Sequence, residues 1–70
     1  MSNWPATKAT RVLAVLKRIG WRVKRTVGSH KLLCRDGWPD YEFAFHDSAE
    51  IGRAMLSRIA KHTGLKPEDL

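Results

Sequence analysis

Two stripes of apolar residues at helical spacing, one near each end of this chain, bracket a middle stretch that alternates with period two. Val12, Leu13, Leu16 and Ile19 mark one buried helix face, and Ile51, Met55, Leu56 and Ile59 mark the other. A helix with a single apolar face must cover it. In 70 residues only one core is available, so both stripes are expected on the same face of a sheet built from the middle of the chain. That arrangement is α+β, in the order helix, three strands, helix, with the opposite sheet face left open.

Local signals set the expected boundaries. Thr7 is placed to cap a first helix over residues 8–19, and Gly20 stops it. Alternation from Trp21 to Thr26 reads as a strand with Trp21, Val23 and Arg25 on one side. Val27-Gly28-Ser29 breaks it, Lys31 to Arg35 forms a second strand, and Asp36 to Asp40 is dense in turn formers. Tyr41 to Phe45 forms the third. Asp47 and Glu50 have capping-box spacing for a second helix, which Gly64 ends, and Pro67 starts a terminal turn. Neither a repeat nor a linker divides residues 1–70, so a single domain is expected.

The longest apolar run, Val12 to Leu16, is far below the roughly 20 residues of a membrane span, and the first residues lack the pattern of a secretory signal. One cysteine, Cys34, excludes an intrachain disulfide and fits a reducing, cytoplasmic setting. Charge is more telling. Residues 1–35 carry nine Lys or Arg and no acid, whereas residues 36–70 carry four basic and seven acidic side chains, for a net charge of +6. So polarised a field attracts a phosphate backbone, although a basic solvated face alone gives the same composition.

Within the basic half stands Gly28-Ser29-His30-Lys31. An imidazole titrates near neutrality and exchanges protons at cellular pH, and the surrounding cations Arg22, Lys24, Arg25, Lys31 and Arg35 suit a polyanion. Removal of the proton from a ribose 2′-hydroxyl by His30 requires no metal, with Lys31, Lys24 or Arg35 available to steady the phosphorane. Gly28 both forms the turn and lets backbone approach a phosphate, and Ser29 orients substrate or satisfies the turn. The bland alternative is a turn histidine that only hydrogen-bonds, in a domain that holds RNA by charge and shape without cutting it.

Other chemistries fit less well. His30 and Cys34 lie about 13 Å apart along an extended strand, too far to share a zinc ion bound at roughly 2.0–2.3 Å, so no metal cofactor is expected. Ser29 and His30 point to opposite sides and make a poor nucleophile pair. Cys34 reads as a small buried apolar residue, and His46 as a local hydrogen-bonding group beside the Asp47 cap. The helix dipole accounts for His62 near a helix end. Trp21 and Trp38 read as packing residues before they read as platforms for bases.

Taken together, Lys17 to Trp21 (Lys-x-x-Gly-Trp), Gly28-Ser29-His30, His46-Asp47 before the second helix and Thr63-Gly64-Leu65 after it resemble the HicA, or YcfA-like, toxin family over about Thr7 to Leu70. The resemblance implies a double-stranded-RNA-binding-domain-like α-β-β-β-α fold. It also implies the toxin role in a type II toxin–antitoxin system, as a metal-independent mRNA interferase, neutralised by a HicB-type antitoxin. By the Gly-Ser-His match the catalytic histidine is His30. Many relatives carry a second histidine where this chain has Lys31, and a proline where it has Ala44.

Overall fold

A computed structural model describes residues 4–70; of the domain expected over 1–70, residues 1–3 lie outside the described residues. The elements are β1 (Thr7–Lys8), α1 (Ala9–Arg18), β2 (Arg22–Val27), β3 (His30–Arg35), β4 (Trp38–Ala44), β5 (Glu50–Ile51) and α2 (Arg53–Thr63), followed by a 3₁₀ turn at Pro67–Asp69. Strands β2, β3 and β4 form an antiparallel sheet in that order, and β1 pairs with β5 in a second, two-stranded sheet. The expected α-β-β-β-α order is therefore present, with one small sheet added.

That added sheet corrects two helix starts. Thr7 does not cap α1: it pairs with Ile51, its hydroxyl donates to the Pro5 carbonyl at 2.6 Å, and the N-cap is Lys8 without a side-chain cap bond. Asp47 and Glu50 do not cap α2. The chain turns at His46, where Ala49 N–H donates to the His46 carbonyl at 2.9 Å, then runs extended through Glu50–Ile51 before the helix begins after Gly52. Pairing with a segment more than forty residues away in sequence outweighs a local capping pattern, which contributes only about 1 kcal/mol.

The core joins Val12, Val15 and Leu16 of α1 and Leu56 and Ile59 of α2 to Leu33 and Phe43 of the sheet, with Trp21 and Ile51 filling the ends. Both helices thus cover the sheet face that carries Leu33 and Phe43. Each expected stripe shifts by a position: Val15 is buried and Leu13 only partly so, while Met55 is exposed and Ile51 is buried from a strand.

Strand β2 pairs Val23 with Leu33 and Arg25 with Leu32, so Lys24 is the extra residue of a bulge. An added residue reverses the facing of everything beyond it. Arg25 therefore leaves the side of Trp21 and Val23 and joins the open face. At the β2–β3 turn Gly28 has φ +60° and Ser29 a negative φ, the pattern of a two-residue II′ turn, for which a left-handed first residue is required. Strand β4 begins three residues before the expected Tyr41, and Pro39 is tolerated because β4 is an edge.

Candidate functional site

His30 opens β3 immediately after the turn, opposite Val27 on one side and Ala44 on the other. Because Leu33 faces the helices, His30 and Leu32 face the uncovered side of the sheet. There a shallow depression of about 320 Å³ is lined by Arg25, Val27, His30, Leu32 and Glu42. The His30 ring is more than half exposed, and Val27 is 67 % exposed.

Glu42 is the partner that sequence reasoning missed. It pairs across the ladder with Leu32, which puts it diagonally beside His30 on the same face, and its Oε2 lies 2.5 Å from His30 Nδ1. Alternation between Tyr41 and buried Phe43 already turns Glu42 outward. Which residue it meets there depends on strand register.

The basic residues separate into distinct places. Arg25 lines the His30 depression and has no carboxylate partner among the described residues. Lys24 projects from the bulge and is paired to Asp40 at 3.1 Å. Arg22 lies at the far end of β2 opposite Cys34, with its guanidinium 3.6 Å from Asp36. Arg35 lies over the Trp38 ring, 5.2 Å from its centroid.

The structure does not bring Lys31 to His30. Adjacent strand residues point to opposite sides, and Lys31 enters a second cleft, of about 460 Å³, at the other side of the hairpin end with Gly28, Ser29, Phe45, His46, Asp47 and Ser48. Its side chain is 20 % exposed, and its ammonium is 3.9 Å from Asp47. The turn residues Gly28 and Ser29 thus lie between a histidine-bearing face and a lysine-bearing cleft.

Cys34, Trp21 and His62 lie outside both depressions. Cys34, expected to be buried, is half-buried, because it occupies the uncovered side of β3; the Arg22 guanidinium approaches its sulfur at 3.9 Å. Trp21 is core, in edge contact with Trp38 at 5.9 Å. His62, in the last turn of α2, stacks on Tyr41 at 5.6 Å. Burial raises the Tyr41 phenol above its ordinary value of 10.0. Among the described residues, no helix is long and apolar enough to cross a membrane.

Comparison with curated proteins and with solved structures finds no match. The family described as "HicA toxin of bacterial toxin-antitoxin" matches residues 9–65. That stretch spans both helices, the sheet and the His30 turn, and the chain therefore belongs to the HicA toxin family.

Proposed function

We propose that this protein is the toxin of a type II toxin–antitoxin pair, a metal-independent endoribonuclease of messenger RNA that works in the cytoplasm and is neutralised by a HicB-type antitoxin. The observation that carries the reading is the position of His30, exposed on the uncovered sheet face beside Arg25, which has no carboxylate partner among the described residues. Membership of the toxin family supports it.

In this reading His30 takes the proton of a ribose 2′-hydroxyl. The freed oxygen forms a bond to the adjacent phosphorus, the bond from phosphorus to the 5′-oxygen breaks, and that oxygen leaves with a proton from water. Arg25 holds the phosphodiester, and Gly28, Ser29 and Lys31 hold the strand where it passes the hairpin end. Arg22 and Lys24, each beside a carboxylate, and Arg35, over the Trp38 ring, make weaker contacts with phosphates further along the strand. A positioned base accounts for roughly 10²–10⁴-fold of the rate, so an open site of this kind gives a slow nuclease.

Purified protein is incubated with RNA and with DNA of the same sequence, with and without a chelator. Cleavage of RNA alone to 2′,3′-cyclic phosphate ends, unchanged by the chelator and lost in His30→Ala, is the expected result. RNA that is bound but stays intact identifies a non-catalytic RNA-binding domain instead, and an active His30→Ala protein removes His30 from the chemistry.

A further inference from the structure

We infer that Glu42 is a positioning residue for His30, setting which ring nitrogen carries the proton and where the other one points; the kinetic part of this inference rests on the nuclease reading above. The contact is direct, Oε2 to Nδ1 at 2.5 Å. A carboxylate oxygen has only lone pairs to offer, so Nδ1 is the donor and its hydrogen is committed to Glu42. In the neutral imidazole the lone pair then resides on Nε2, the nitrogen not engaged by Glu42 and free to accept a proton.

Free imidazole side chains exchange between the two tautomers, and a ring that is more than half exposed has little packing to hold it. Glu42 supplies what packing does not. Its backbone is fixed by the ladder, where Glu42 pairs with Leu32, so the ring is tied to a neighbouring strand as well as to its own. A carboxylate that holds an imidazole by one nitrogen and leaves the other free is the arrangement that orients the ring in other acid–base sites.

A second chemical role for Glu42 conflicts with this geometry. In-line displacement at phosphorus puts the attacking 2′-oxygen and the departing 5′-oxygen on opposite sides of the centre. Two groups hydrogen-bonded to each other stand on one side, so they cannot serve as base and acid for the same phosphorane while that bond is intact. Glu42 therefore acts through His30.

The test has two independent arms. The first is ¹⁵N NMR of the imidazole of His30 at a pH where it is neutral, in the full chain. The Nδ1–H tautomer is expected to dominate in the wild type, to persist in Glu42→Gln, whose amide oxygen still accepts, and to give way to Nε2–H in Glu42→Ala. The second is single-turnover and steady-state cleavage of RNA. Glu42→Ala is expected to lower kcat by roughly 10–100-fold with KM unchanged, and Glu42→Gln by less.

A wild-type ring in the Nε2–H form overturns the inference outright. So does a Glu42→Ala protein with full kcat when His30→Ala is inactive. An active His30→Ala protein is a different failure: it overturns the nuclease reading and the positioning role with it, whatever tautomer the first arm finds. Unfolding of Glu42→Ala is read separately from its amide spectrum, and Glu42→Leu, close in size and without an acceptor, then carries both arms.

Discussion

The indole N–H of Trp21 donates to the backbone carbonyl of Thr63 at 3.0 Å, joining the residue that enters the sheet to the last residue of α2, 42 positions later. That carbonyl is one of the four at the end of a helix that lack an intrahelical partner. Thr63 is fully buried, and its hydroxyl is also used twice, donating to the Ile59 carbonyl at 2.8 Å and accepting from Leu65 N–H at 3.3 Å. Beside it, a Cβ on Gly64 would stand 2.9 Å from the Trp38 ring, and Gly64 has φ +76°. The two tryptophans thus fix how α2 ends.

Replacement of Trp21 by Phe keeps an aromatic ring but removes the donor, leaving the Thr63 carbonyl buried and unpaired. A loss of about 2 kcal/mol is expected, which in a domain of this size lowers the melting temperature by on the order of 10 °C. Thermal unfolding followed by circular dichroism measures it; an unchanged midpoint rules out the bond as a stabilising contact. RNA cleavage measured well below the midpoint is expected to be unchanged, because Trp21 is on the covered side of the sheet.

Arg25 and Lys24 are neighbours with different prospects for binding RNA. Lys24 is already paired to Asp40 at 3.1 Å, whereas Arg25 has no such partner among the described residues. Arg25→Gln is expected to weaken RNA binding more than Lys24→Gln and to reduce the slope of log affinity against log salt by about 0.7 for a single-stranded ligand. Fluorescence anisotropy titrations over a salt series compare the two. Equal effects of the two substitutions refute the assignment.

Tyr41 is the only tyrosine of the chain, so its titration is directly visible near 295 nm. Burial against the neighbouring elements raises its folded-state pKa above 10.0. The native state then keeps a proton that the unfolded state releases. Its contribution to stability is complete below pH 10 and disappears as pH rises through the folded value. Urea unfolding at a series of pH values from 8 upward is expected to show an alkaline fall that is shallower in Tyr41→Phe. Identical pH dependence in the two proteins counts against it.

Much of this architecture was legible from local pattern. The stripe ending at Gly20, the break at Gly28-Ser29 and the stop at Gly64 all mark real element ends, because a glycine at positive φ acts on its immediate neighbours alone. The helix starts were not legible. Thr7 and Asp47-Glu50 have good capping chemistry, but the backbone there pairs β1 with β5, and nothing within either segment announces the other.

The α+β order, the polarised charge and the histidine in a basic turn follow from residue type and near-neighbour spacing alone. What His30 touches follows from the packing of the whole chain. One bulge at Lys24 turned Arg25 to the open face, strand alternation sent Lys31 to the other side, and the register of β3 against β4 set Glu42 beside the imidazole. Register is a property of two strands together, fixed by which faces the whole core buries, and so it cannot be read from either strand alone.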